Sequence, residues 1–459
     1  MKTLIAIGLF TFTLQAPAQK PHKDTAPVYD RDKLAARIDE LARAAVEREG
    51  VPGITIAVAE DEQVFFAKGY GYANVEAQQP ATADTRYPIG TLTRQFTAVA
   101  VLQLMDEEKL ALEDRIEKYL PEFPVGERVI TLQHMLSNTS GIPGFEQVKQ
   151  GNASDAPATE KEFLAQFAGV PFAFEPGHDF SLDSANYALL SLIVARVAQV
   201  PYTQYVREHV LEPVGLGRAV FCPKSGAPIG FARDCLSAWD SFDFELPEEA
   251  ASKVNTQSLC ATAAELVKWQ QAMFKRKVFS ERASRKIMTP STLADGNSTN
   301  FGYALQMTKF HDYKNYAYTG TGGGFRARLS YYSLPNVTVV VLANCESAPV
   351  ERIEKDIARF IFAIPLPVTE EAKLTTEDAA RCVGLYQIAT TQYRIAERDG
   401  QLWFTPPVDP AVRLCHQGNL VFTFESDRDV RLTFNVTDGK VDSFTLWRGG
   451  YENRARRME

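Results

Sequence analysis

In the stretch "IGTLTRQFTAVAVLQLMD", beginning at Ile89, a hydroxyl residue, Thr91, stands three residues before a cation, Arg94, at the mouth of an apolar-periodic segment. A hydroxyl at a helix N-terminus lies where free N–H groups and the helix dipole stabilise a developing oxyanion, the setting for nucleophilic attack on an acyl carbon. A hydroxyl is a weak nucleophile until a base removes its proton. Arg94 does not suit that role, because a guanidinium stays protonated in proteins and carries donors only. Thr91 adds a β-methyl that restricts χ1 and crowds an incoming carbonyl.

Several elements must hold this pair. The spacing predicts a helix over 94–109 and an earlier one in "RDKLAARIDELARAAVEREG", stopped by Gly50. "GITIAVAE" and "QVFFAKGYGYA" read as a strand hairpin, and "GGFRARLSYYSLPNVTVVVLANCE" as two strands followed by a helix in "VERIEKDIARFIFA". Strands at both ends of a helix-rich middle imply one sheet assembled from distant segments with a helical subdomain inserted. "IPLPVTEEAKLTTED" reads as a linker. The alternating runs beyond it, broken by Asp-Gly and Gly-Asn, form a separate all-β domain of about 80 residues.

Taken together, "YPIGTLTRQFTAVAVLQLMDEEKLALEDRIEKYLPEFP", "ITLQHMLSNTSGIPGF", "EPGHDFSLDSANYALLSLIVARV", "LCATAAELVKWQQAM", "TPSTLADGNSTNFGYALQM" and "TGTGGGFRARLSYY" resemble the serine β-lactamase and penicillin-binding-protein superfamily, nearest its class C-like esterases and peptidases. The resemblance covers residues 33 to 363 and implies an α/β fold: an antiparallel sheet flanked by helices, with an inserted helical subdomain. The final domain is similar to the small β-domain attached to such exported hydrolases.

That family's chemistry rests on Ser-x-x-Lys, Tyr-x-Asn or Ser-x-Asn, and Lys/His-x-Gly. The resemblance carries these onto Thr91-Leu92-Thr93-Arg94, onto Leu182-Asp183-Ser184, and onto Tyr318-Thr319-Gly320. Each proton-handling position has changed. A leucine has no proton to exchange, and Ser184-Ala185-Asn186 fits the second element by composition, although these residues also suit a helix start. The third element suits an edge strand beside a cleft. By resemblance the backbone N–H groups of Thr91 and Thr321 form the oxyanion site, and Arg94, Ser184, Thr319 and Gly320 line the ligand. Asn138 stands where a His is usual. Thr437 to Lys440, the one Thr-x-x-Lys, falls in a predicted hairpin turn.

Two readings follow. In one, the protein is a catalytically impaired family member, a pseudoenzyme binding a peptide, cell-wall fragment or carboxylate, with Arg94 favouring an anion. In the other it is an acyl hydrolase with Thr91 as nucleophile and Tyr318 or Asp183 as base. A purely structural envelope protein, making contacts through its C-terminal β-domain, is a third reading.

Composition narrows the partners. The 459 residues carry a net charge of −8 with no basic run, which argues against nucleic acid. Lys2, the apolar "TLIAIGLFTFTL" and the small residues "APA" read as a secretory signal over 1–18, and no later apolar run reaches membrane-spanning length. An exported, periplasmic or secreted protein is expected. The six cysteines, at 222, 235, 260, 345, 382 and 415, permit disulfides there. Cys222 and Cys235 flank a short Pro/Gly loop and are the most plausible pair, with isolated buried thiols at least as well supported. Scattered histidines give no metal pattern, and no cofactor is expected. The expected organisation is signal 1–18, tether 19–32, β-lactamase-like domain 33–364, linker 365–377 and C-terminal β-domain 378–459.

Overall fold

The computed structural model describes residues 29–151, 159–182, 184–222, 232, 258–367, 370–388, 391–406 and 411–458. The expected signal segment, most of the expected tether, Asp183 and Cys235 lie outside them. The end of the predicted tether is ordered. Asp30 caps the helix Arg31–Glu47 by accepting from the amides of Asp32 and Lys33, and Arg31 pairs with Glu60 at 2.7 Å.

A seven-stranded sheet is the frame. Its strands are β1 (Gly53–Glu60), β2 (Gln63–Asn74), β3 (Gln79–Pro80), β7 (Gln306–Phe310), β8 (Tyr313–Gly322), β9 (Phe325–Tyr332) and β10 (Val337–Ala343), in the order β3-β2-β1-β10-β9-β8-β7. Every pairing is antiparallel. β10 is buried throughout and β1 up to Glu60, because helices cover both faces. On one face Ile54, Ile56, Val58, Val339 and Val341 meet the helices Arg31–Glu47 and Val350–Ile361. On the other, Ala57, Leu329, Val340 and Leu342 meet Arg94–Asp106 and Ala263–Phe274. The helical subdomain lies between β3 and β7 in sequence and includes the apolar helix Ser184–Ala198.

Three expectations need correction. β8 is not the edge strand, since β7 lies outside it; pairing with β7 ends at Ala317, so only the segment from Tyr318 onward is an open edge. The helix predicted over 94–109 ends at Asp106, and Glu108 turns the chain with φ 57°. Cys222 bonds Cys260, not Cys235. A small sheet of β4 (Tyr87–Pro88), β5 (Val220–Phe221) and β6 (Leu259–Ala261) sets Val220 opposite Cys260, and brings the two cysteine Cα atoms to 5.1 Å, within disulfide reach. Cys382 and Cys415 are buried thiols in no disulfide.

The C-terminal domain is a closed eight-stranded antiparallel barrel, β11 (Gly384–Ile388), β12 (Thr391–Arg398), β13 (Gln401–Thr405), β14 (Val412–His416), β15 (Val421–Phe424), β16 (Arg431–Thr437), β17 (Lys440–Arg448) and β18 (Tyr451–Arg457), with β18 pairing back on β11. Tyr386, Phe404, Phe422, Phe434 and Phe444 fill its interior. The helix Thr376–Cys382 starts inside the predicted linker and buries Ala379 and Cys382 in that core. Thr437 and Lys440 flank the β16–β17 turn, whose Asp438 and Gly439 both have positive φ. The barrel docks through Lys355–Asp427 at 2.5 Å, through Arg359–Asp429, and through the Lys309 amide on the Gly449 carbonyl at 2.7 Å. No helix of the described residues is long and apolar enough to cross a membrane.

Candidate active site

Thr91 lies in a 3-10 turn, Gly90–Thr93, which runs directly into the helix from Arg94. Two glycines let this turn press against β8. Gly90 has φ +55° and a Cβ there would sit 2.3 Å from the Thr321 carbonyl oxygen; a Cβ on Gly320 would sit 2.0 Å from that of Ile89. Any side chain at either position would force turn and strand apart. From the other side, the Gly90 amide donates to Ser258 Oγ at 2.8 Å and the Leu259 amide donates to Thr93 Oγ1 at 3.0 Å. The disulfide on the adjoining Cys260 tethers the same latch.

The result brings Thr91 and Thr321 together. The Thr321 N–H donates to Thr91 Oγ1 at 3.3 Å, and Thr91 remains half-buried. A backbone donor suited to an oxyanion therefore faces the hydroxyl itself.

Behind Thr91, Arg94 is 6% exposed. Its Nη1 donates to the Tyr318 hydroxyl at 3.4 Å, and its guanidinium carbon lies 5.6 Å from the Tyr187 ring centroid. A cation in a first helical turn opposes the helix dipole by ~0.3–1 kcal/mol. A partly desolvated cation–π contact returns ~0.5–2 kcal/mol, so the aromatic wall can offset that cost. Tyr187 donates to the Leu136 carbonyl at 2.7 Å. Burial raises its pKa well above the ordinary phenol value; Tyr318 adds to the rise, and Arg94 acts against it. Tyr187 thus stays a neutral phenol and offers no base at pH 7.

The remaining candidates divide. Leu182 is 45% exposed, so no side chain of the cluster comes from it. Ser184 opens the helix Ser184–Ala198, and the buried Asn186 accepts from Ser140 Oγ at 2.6 Å, a structural link between this helix and the "SNTSG" loop. Thr319, expected at the ligand, turns its hydroxyl to the opposite face of β8, where Arg328 Nη1 donates to it at 3.1 Å. Alternation along the strand explains this: with Tyr318 facing Arg94, Thr319 must face away. Gly320 serves the close packing of the turn. Asn138, where a His is usual, adopts φ 57°, which Asn tolerates.

Sequence reasoning missed Tyr187, Ser258 and Thr93 as parts of the site. Tyr187 reads as a helix start in "SANYALL", and Ser258 precedes a strand far along the chain; only the tertiary fold joins them to Thr91. No cluster of three or more His, Cys, Asp or Glu side chains among the described residues is placed to hold a metal.

Residues 38–363 match the family model described as Beta-lactamase. Protein flp of Staphylococcus aureus strain MW2 is 30% identical over 189 residues, 40% of this chain and 38% of that protein. A D-aminopeptidase of Gluconobacter oxydans is 24% identical over 365 residues, 77% of this chain and 66% of that protein. The chain therefore spans less than two thirds of either relative. The octameric penicillin-binding protein homologue from Pyrococcus abyssi superposes with TM-score 0.62 at 23% identity, covering 93% of this chain and 100% of that one.

Proposed function

Because this chain belongs to the β-lactamase family, we propose that it keeps the family's cleft as a binding site for a peptide, cell-wall fragment or other carboxylate ligand, with acyl turnover lost or strongly impaired. The observation that carries this reading is Arg94. In the place where the family needs a proton acceptor stands a buried guanidinium, flanked by the Tyr318 hydroxyl and the Tyr187 face, and a guanidinium cannot accept the proton of Thr91. It can hold a carboxylate. The likeness to a D-aminopeptidase supports a peptide as the ligand class. Export is part of the proposal, supported by the Cys222–Cys260 disulfide and the signal-like N-terminus. The barrel, filled with aromatic rings, would offer its outer surface to a partner.

A second reading retains catalysis, with Thr91 attacking and Tyr318 taking its proton. The contact between Thr91 Oγ1 and the Thr321 N–H favours it; Asp183, the other candidate base, lies outside the described residues. One experiment separates the two. The full chain is titrated calorimetrically with a short peptide bearing a free C-terminal carboxylate, and hydrolysis of a p-nitrophenyl ester is followed in parallel. Saturable binding that Arg94→Ala weakens ~10-fold or more, without ester turnover, supports the binding site. Turnover that Thr91→Ala abolishes supports the hydrolase.

A further inference from the structure

Away from the cleft, an open cavity of about 390 Å³ lies beside the short helix Glu281–Ile287 and is lined by Arg282, Arg285 and Lys286 together with Ser291, Thr292 and Tyr303. No carboxylate of the described residues lines it. Its cations are weakly engaged. Arg285 pairs with Glu281 at 2.8 Å and Lys286 with Glu113 at 3.9 Å, both through carboxylates more than half exposed, and such surface pairs contribute little. Arg282 makes no ion pair among the described residues.

The segment carrying the hydroxyl residues is held by backbone pairing. The Ser291 amide donates to the Phe301 carbonyl at 2.8 Å and the Thr299 amide to the Ser291 carbonyl at 2.9 Å, while Thr292 bridges Ser298, so the two hydroxyl residues ride on a closed turn. Tyr303 is buried at the cavity wall, and its pKa is pushed up to about 12 by burial and by Glu113, which keeps the phenol a donor at neutral pH. A lining that combines three cationic side chains with hydroxyl-bearing residues matches a ligand rich in acceptor oxygens.

We propose that this cavity binds the phosphate group of a small phosphate-bearing molecule. The arginine-rich surface of the barrel is a poorer candidate. Asp442 lines that second cavity, Arg457 is committed to the carbonyls of Arg381, Val383 and Val441, and Arg454 to Ser443.

The test titrates the full chain with inorganic pyrophosphate by calorimetry at low ionic strength, with citrate as a carboxylate comparison. The expected result is one saturable pyrophosphate site per chain, weakened ~10-fold or more by Arg282→Gln with Arg285→Gln and unchanged by Arg456→Gln. The affinity should fall as salt is added. Both arginines lie at the surface, Arg285 with a side chain 69% exposed, so the double variant should fold; its thermal midpoint is measured alongside. Absence of saturable binding, binding unaffected by the double substitution, or citrate binding as tightly as pyrophosphate would each overturn the assignment.

Discussion

Two buried arginines sit on opposite faces of one strand. On the Thr319 face of β8, Arg328 donates to Glu354 at 3.3 Å and to Thr319, and Glu354 also accepts from Tyr332 at 2.6 Å. On the Tyr318 face, Arg94 lies against a phenol oxygen and an aromatic ring. Both are 6% exposed. The contrast shows that burial alone does not identify a functional cation. Arg328 closes a carboxylate-centred network that ties β8 and β9 to the helix Val350–Ile361. Arg94 stands one helical turn behind a half-buried hydroxyl, and on the proposed reading it sets what chemistry that hydroxyl can do.

The largest expected effect tests the structural arginine. Arg328→Met leaves the fully buried Glu354 without its cation and should cost ~3–5 kcal/mol of stability by urea denaturation. Adding Glu354→Leu should recover most of that loss. If the single variant unfolds at the wild-type urea concentration, the network is not what holds this face.

Next comes the chemical arginine. Arg94→Lys with Thr91→Ser restores a titratable amine behind an unhindered hydroxyl. It should raise p-nitrophenyl ester hydrolysis ~100-fold or more over the parent chain, the low end of what a positioned base contributes. No gain would mean that the lost second element, not Arg94, limits the site. A smaller effect sharpens the comparison in stability units. Arg94→Met removes, among its contacts, the hydrogen bond to Tyr318 and the cation–π contact with Tyr187, and these two account for ~1–2 kcal/mol in the same denaturation assay. A loss equal to that of Arg328→Met would erase the distinction drawn between them.

The smallest effect concerns an ion pair near the surface. Burial would raise the Asp114 pKa, but hydrogen bonds from Lys118, Tyr119 and the Ala111 amide outweigh it and lower the value from 3.8 to about 2. A carboxylate whose folded pKa is depressed contributes stability that is present above its unfolded pKa and lost as pH falls through the folded one. Asp114→Asn should therefore flatten the decline in thermal midpoint between pH 4 and 2, leaving the slope above pH 5 unchanged.

Much of this was legible in the chain. Apolar, β-branched or aromatic runs mark β1, β9 and β10, because helices cover both faces of the sheet there. Asp-Gly turns mark the barrel, and the family's order of segments marks Thr91, Arg94 and Tyr318 before any coordinates. Strand alternation also turns Thr319 away from Tyr318, a feature readable in the triplet Tyr318-Thr319-Gly320. Other features are purely tertiary. Nothing local in "SANYALL" sends Tyr187 under Arg94, and Cys222 meets Cys260 across 38 residues only because β5 pairs with β6. The latch from Ser258 to Gly90 spans 168 residues and rests on one serine hydroxyl.

The proposed function requires that no group behind Thr91 takes up its proton at neutral pH. Its most direct test is intact-mass spectrometry of the wild-type chain after incubation at pH 7 with a fluorescent penicillin and, separately, a p-nitrophenyl ester. An unmodified mass is expected with both reagents. An acyl adduct mapped to Thr91 and absent from Thr91→Ala would contradict it.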